Sequence, residues 1–267
     1  MPTCYRHPTR ETGVSCSNCG RPICPDCMTS TSVGMRCPEC AKDRTRVHRV
    51  RPGMTAAPVA TQVLVAVNVL VYLAELATGS GFGSVSGTIY EHGALYGPYV
   101  GQLDEWWRLV TTGFLHASFF HIAFNAAFIW FIGRELEPAI GSARFVVAYV
   151  VSLLCGSLGV LLLEPNAVTV GASGAAFGLL GTLMVHARSR GIDLRSSGLL
   201  QLALFNFAFT FLFPGIAIGA HVGGFVGGVV VGLLFEQAAR RRLPQAVQLA
   251  AGAVLAFAAF AAGVIVA

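Results

Sequence analysis

Four polar side chains stand inside long apolar runs, where an ionisable or amide group is costly and tends to be functional. Ser173 lies in Gly171-Ala172-Ser173-Gly174, and His221 lies in Ala220-His221-Val222-Gly223-Gly224. His121 and Asn125 are four residues apart, so a helix would put them on one face. A serine hydroxyl is a weak nucleophile until a base takes its proton, and an imidazole can do that at neutral pH. Acyl transfer also needs donors for the oxyanion that develops, each contributing about 3–4 kcal/mol by deletion. The side chains of His121 and Asn125 and the backbone N–H of Ser173 are candidates for that task. Taken singly, each residue has an ordinary reading too: Ser173 as a small packing residue at a glycine-rich helix start, His221 and Asn125 as tethers between helices. Together they are the residue types an acyl-transfer site needs.

A second group of reactive residues opens the chain. Of eight cysteines, seven fall between Cys4 and Cys40. With His7 they form four pairs, Cys4/His7, Cys16/Cys19, Cys24/Cys27 and Cys37/Cys40, each with two residues between its members. That spacing lets both side chains of one tight turn reach a single tetrahedral ion, so eight ligands make two Zn2+ sites. So small a segment has little apolar core, and metal binding would supply most of its folding free energy. A redox-active thiol cluster is the competing reading. Four-ligand sites leave no open position for water or substrate, so the zinc would be structural. Tyr5, Arg6, Arg10 and Arg21 could form a surface for a cytoplasmic protein partner. Cys155, in an apolar run, reads as a small buried residue.

The elements that must position these groups follow from composition. Of 267 residues, 54% are hydrophobic and 12% charged, about half the charged share of a soluble domain. With mean hydropathy at +0.65, the lipid bilayer is the expected solvent. No cleavable signal peptide is expected from the polar, cysteine-rich start, and nothing points to nucleic acid. Seven apolar runs lie near 59–78, 115–133, 143–163, 172–187, 197–213, 217–236 and 245–267, close to the ~20 residues a crossing helix needs. They do not alternate polar with apolar, which argues for helices and against a barrel.

Arginine placement sets the orientation. Lys42, Arg44, Arg46, Arg49 and Arg51 precede the first run; Arg134 and Arg144, then Arg188, Arg190 and Arg195, then Arg240, Arg241 and Arg242 fall on the same side. The loop from Thr78 to Trp107 carries Glu91, Asp104 and Glu105 but no Lys or Arg, and the loop after Leu163 carries Glu164. This predicts a multi-pass protein of a bacterial plasma membrane, N-terminus cytoplasmic and C-terminus outside. The cysteines would then sit in a reducing compartment, which favours metal over disulfides. Glycines recur every four residues in the sixth run, as Gly219, Gly223 and Gly227 and as Gly224, Gly228 and Gly232, while the fourth holds Gly174, Gly178 and Gly181. Such faces let helices approach closely. A bulky residue at Gly223 or Gly227 is expected to part Ser173 from His221. Arg134, Glu135 and Glu137 read as membrane-surface or loop-pairing charges. Phe205, Phe207, Phe209, Phe211 and Phe213 read as lipid-facing or packing residues.

The G-x-S-G, H-x-x-x-N and A-H-x-x-G patterns, on three runs and in this order, resemble the rhomboid proteases over roughly Thr61 to Glu236. Trp107-Arg108 in the first loop is also similar. The resemblance implies a Ser173–His221 dyad without a third acidic member, Phe177 stacked on His221, and an oxyanion site from His121, Asn125 and Ser173. It leaves His116 in a structural role and the phenylalanine-rich fifth run at a lateral substrate gate. It implies hydrolysis of peptide bonds in or beside transmembrane helices of protein substrates, with no cofactor for catalysis. A catalytically silent relative that binds membrane clients is the alternative. The N-terminal pairs resemble a B-box-type zinc finger, which implies Cys4, His7, Cys24 and Cys27 on one ion and Cys16, Cys19, Cys37 and Cys40 on the other. The expected fold is an all-α membrane protein: a zinc module over 1–45, a basic linker over 46–58, a six-helix rhomboid core over 59–238, and a seventh transmembrane helix over 239–267.

Overall fold

The computed structural model describes residues 1–31, 34–42, 57–79 and 87–267. Arg44, Arg46, Arg49, Arg51 and nearly all of the 46–58 linker lie outside them. The chain divides into two compact units, Met1–Met54 and Thr55–Ala267.

The first unit has almost no regular structure. Strands β1 (Thr29–Thr31) and β2 (Gly34–Arg36) pair antiparallel, with Thr29 opposite Arg36, and a short helix α1 (Pro38–Lys42) follows. Its core consists of six buried cysteines and Ile23. Exposed ion pairs, Arg6–Glu39 and Arg10–Asp26, ring that core. Pairs so open to water contribute little to stability.

Among its described residues, the regular secondary structure of the second unit is all helical. Helix α2 (Val59–Ala77) is followed by the short helices α3 (Thr88–Gly93), α4 (Gly97–Gln102) and α5 (Arg108–Thr111). The long helices are α6 (Phe119–Ile140), α7 (Ser142–Leu163), α8 (Ser173–Ser189), α9 (Leu199–Leu212), α10 (Ile218–Arg240) and α11 (Gln245–Val266). Helices α7, α8 and α10 make the inner layer; α2 leans on α6, α11 on α7, and α9 rests on α8 and α10. By length and apolarity α2, α7, α10 and α11 can each cross a membrane. The stretch Arg108–Phe114 together with α6 makes a fifth candidate, bent by 92°. Helix α8, with 17 residues, and α9, with 14, are shorter than the other long helices.

Several expectations change on contact with the structure. The second apolar run does not begin its helix at 115: Ser118 caps α6, accepting from the His121 N–H, and the helix continues through Pro138 to Ile140. Glu137 is not a surface charge. It is 2% exposed and accepts hydrogen bonds from the Ala60 and Thr61 N–H groups, from Thr61 Oγ1 and from Ser142 Oγ. Its carboxylate thus caps the start of α2, where orphan N–H groups and the helix dipole favour a negative charge. Arg134 and Glu135 do stay exposed, 3.5 Å apart. Cys155 is half-buried, not fully enclosed.

A further change concerns the glycine faces. A Cβ on Gly223 would come within 2.3 Å of the Cys155 carbonyl oxygen, and one on Gly227 within 2.6 Å of Cys155 Cβ. That face meets α7. The face toward α8 is the other one: a Cβ on Gly224 would lie 2.0 Å from the Gly174 oxygen, and on Gly228 1.9 Å from the Gly178 oxygen. The sequence shows two four-residue ridges on one helix, but only packing decides which neighbour each meets.

Candidate active site and N-terminal metal-ligand clusters

Ser173 is the first residue of α8, and its approach is built by backbone pairing. Leu95 and Thr169 form an isolated antiparallel bridge, Thr112 Oγ1 donates to the Thr169 carbonyl at 2.7 Å, and the Gly171 N–H donates to the Thr112 carbonyl at 2.9 Å. Gly171 has φ +129°, and a Cβ there would lie 2.7 Å from His121 Nε2. Glycine at this position therefore serves both the turn and the close approach of the imidazole.

His221 lies in the first turn of α10. That helix start is held from α7's end, where Glu164 accepts from the N–H groups of Ile218 and Gly219 at 3.3 and 3.1 Å. Close packing of α10 on α8 then places His221 Nε2 2.7 Å from Ser173 Oγ. The Phe177 ring stacks on the imidazole with centroids 4.1 Å apart and planes 11° from parallel. Phe177 is itself held edge-on by Phe128 from α6 and Phe207 from α9. His221 is 7% exposed.

On the other side of Ser173, His121 accepts the Ala117 N–H on Nδ1 at 3.3 Å. Its other nitrogen, Nε2, then carries the proton in the neutral ring and is turned toward Gly171. Asn125 is buried one turn further along α6 and gives one amide hydrogen to the His121 carbonyl at 3.0 Å. No side chain caps α8, and Ala176 is the first residue whose N–H reaches back, to Ala172. The N–H groups at Ser173 are therefore free to meet a developing negative charge. His116 is buried and packs edge-on against His121 at 5.1 Å. The Trp107-Arg108 pair stitches the first loop: Arg108, 2% exposed, donates to the carbonyls of Glu91 and Ala94 and to Glu105, and Trp107 Nε1 donates to the His92 carbonyl.

Two residues at the site carry no sequence signal. Glu164 reads as a loop charge, and Thr210 reads as one polar residue in a phenylalanine-rich run. In the structure Thr210 Oγ1 lies 2.6 Å from His221 Nδ1. Only a two-helix register could have brought it to notice.

In the first unit, Cys4, His7, Cys24 and Cys27 gather with their ligand atoms within 4.8 Å of one another, and Cys16, Cys19, Cys37 and Cys40 do the same. His7 turns Nδ1 to its cluster, 3.9 Å from Cys4 Sγ, 3.3 Å from Cys24 Sγ and 3.5 Å from Cys27 Sγ. Cys19 and Cys37 sulfurs are 3.8 Å apart. A tetrahedral zinc with ordinary bond lengths separates its ligands by about 3.6–3.8 Å, so both donor sets fit. The N–H groups of Cys19 and Cys37 hold the Cys16 thiol down to about 6, while burial, with neighbouring thiols, pushes Cys27 up to about 11. Neither three such sulfurs beside His7 nor four together can all ionise side by side unless a cation offsets them.

The Rhomboid domain model matches residues 103–238, half of the chain. Rhomboid protease GluP of Bacillus subtilis (strain 168) is 35% identical over 156 residues, 57% of this chain and 30% of that protein. Putative rhomboid protease YdcA of the same organism is 46% identical over 81 residues, 30% of this chain and 41% of that protein. Inactive RHOMBOID-like protein 8 of Arabidopsis thaliana is 31% identical over 128 residues, 48% of this chain and 36% of that protein. The chain thus spans between about three tenths and two fifths of the length of these relatives. A helical unit with several membrane-length apolar helices, matched across α5 to α10 by that domain, makes this chain a member of the rhomboid family.

Proposed function

We propose that the chain is an intramembrane serine endopeptidase that hydrolyses peptide bonds in or beside transmembrane helices of protein substrates. The observation that carries this reading is the 2.7 Å separation of His221 Nε2 from Ser173 Oγ under a stacked Phe177. His221 takes the hydroxyl proton as Ser173 Oγ attacks the scissile carbonyl carbon. His121 Nε2–H, the remaining amide hydrogen of Asn125 and the Ser173 N–H receive the oxyanion. As the C–N bond breaks, His221 returns the proton to the leaving amine and an acyl-enzyme remains. Water, deprotonated by the same imidazole, then releases it. No cofactor enters these steps.

Seven crossings, α2 and α6 to α11, with the N-terminus inside and the C-terminus outside a bacterial plasma membrane, fit the arginine pattern. At 1.5 Å per residue α8 is about 26 Å long, less than the ~30 Å hydrocarbon core. With Arg188 and Arg190 at the cytoplasmic surface, Ser173 would lie just beneath the opposite one, where water can reach it. The first unit (1–45) would be a B-box-like module with two structural Zn2+ ions, joined by the 46–58 linker to a protease core over 59–238 and a last helix over 239–267.

A second reading has its own support. One relative is named inactive at 31% identity, so a client-binding protein without hydrolysis remains an alternative. Fluorophosphonate labelling of the detergent-purified full chain separates the two. Wild type is expected to label, and Ser173→Ala and His221→Ala to lose labelling and cleavage of a model transmembrane substrate by roughly 10^4-fold or more. Folded wild type that neither labels nor cuts would establish the client-binding reading.

A further inference from the structure

The His221 imidazole has two nitrogens, and Ser173 meets only one. Nδ1 lies 2.6 Å from Thr210 Oγ1 on α9. Of the 14 residues of α9, only Ala203 and Thr210 are buried. The Thr210 hydroxyl has one hydrogen, and the Asn206 carbonyl takes it at 2.9 Å, one turn back along the same helix. An oxygen that has given its hydrogen away can only accept. Nδ1 must then carry the ring proton and donate it to Thr210, which leaves the Nε2 lone pair facing the Ser173 hydroxyl.

Stacking cannot achieve this. Phe177 sets the plane of the imidazole, but a 180° flip about the Cβ–Cγ bond keeps that plane and exchanges nitrogen for carbon at both edges. The Thr210 contact distinguishes the two orientations and also selects the tautomer. Among the described residues no carboxylate hydrogen-bonds to His221; its two side-chain partners are Ser173 and Thr210.

We propose that Thr210 is the positioning residue that holds His221 in the orientation and tautomer of a general base, so that seating of α9 on α10 is part of arming the dyad. The proposal rests on the reading of Ser173 and His221 as that dyad. Helix α9 is otherwise attached by Ala203 in the core, by Leu199 and Leu202 packed against it, and by aromatic contacts of Phe207 with Phe177 and Phe225, while Leu204, Phe205, Phe211 and Leu212 face outward. A displacement of α9 would therefore take the Nδ1 partner with it.

The test compares wild type, Thr210→Val, Thr210→Ser and His221→Ala as full chains in detergent. It measures the fluorophosphonate labelling rate and, separately, kcat and KM for a model transmembrane substrate. Thr210→Val keeps the shape and removes the acceptor. It is expected to slow labelling and lower kcat by about 10- to 100-fold with KM unchanged, because a buried donor is left unpaired. Thr210→Ser is expected to restore both to within about threefold, since it keeps the oxygen. Wild-type labelling rates in Thr210→Val, a loss confined to KM, or no rescue by serine would overturn the proposal. If Thr210→Val fails to fold by its melting curve, Thr210→Ala takes its place with the same expectation. Labelling that survives in His221→Ala would instead sink the dyad itself, and this inference with it.

Discussion

In the first unit eight ligand side chains converge from four short turns between Cys4 and Cys40; in the second, Ser173 and His221 meet across 48 residues and two helices. Both regions hold reactive atoms within hydrogen-bond or ligand distance, yet by opposite means. The cysteine pairs are local. Each turn sets two sulfurs side by side whatever the rest of the chain does, and an ion is the natural link between turns. The Ser173–His221 contact is non-local. It depends on α10 lying against α8 with almost no side chain between them, which Gly224 and Gly228 allow. The first arrangement should fail by losing its ion, the second by gaining a methyl group.

Removing a ligand is the largest way to break that contrast. Cys24→Ser is expected to reduce bound zinc from two ions per chain to one and to loosen the part of the first unit around Cys4, His7 and Cys27, since a structural ion supplies about 10 kcal/mol or more of folding free energy. Metal analysis with proteolysis of residues 1–42 would show it, while the helical unit keeps its melting temperature. Two ions retained in Cys24→Ser would contradict the assignment of that ligand.

The glycine ridges give a sharper comparison. Gly228→Ala puts a Cβ 1.9 Å from the Gly178 oxygen, on the α8 face. Gly227→Ala puts one 2.6 Å from Cys155 Cβ and 2.8 Å from its sulfur, on the α7 face, a less severe approach in which the sulfur at least can turn away. Backbone cannot yield as a side chain can, and overpacking costs about 1–3 kcal/mol or more. Serine labelling should therefore fall by over about tenfold in Gly228→Ala and by less in Gly227→Ala. The reverse order would show that the α7 contact, not the α8 contact, sets the dyad distance.

The smallest expected effect tests Glu137. Glu137→Gln keeps the size and removes the charge from the start of α2. It should lower stability by about 1–3 kcal/mol, read from the denaturation midpoint, with labelling of Ser173 unchanged in the folded fraction. Loss of labelling without loss of stability would mean that the α2–α6 contact reaches the site.

The four candidate site residues and the eight candidate ligands were legible because ionisable and amide groups are rare in membrane sequence and because C-x-x-C spacing is self-contained. Helix positions were legible too, since apolar runs with polar breaks leave few alternatives; α7 and α11 begin and end within one or two residues of their runs. Other features escaped for a common reason. Glu137 looked like a surface charge until α2 placed its first N–H groups over it. Glu164 looked like a loop residue until α10 began beside it.

By itself, then, the sequence determined the solvent, the helices, the cysteine and histidine pairs and which polar residues are candidates for a nucleophile and its base, because each is a matter of residue type and near spacing. Tertiary structure alone decided which glycine ridge meets α8, where α6 turns into its helix after Ser118, and that Thr210 faces His221 Nδ1. Those outcomes depend on the rotation and register of helices distant in the chain. A one-residue change of rotation moves a side chain by about 100° around its helix, and periodicity within one helix cannot specify a neighbour's phase.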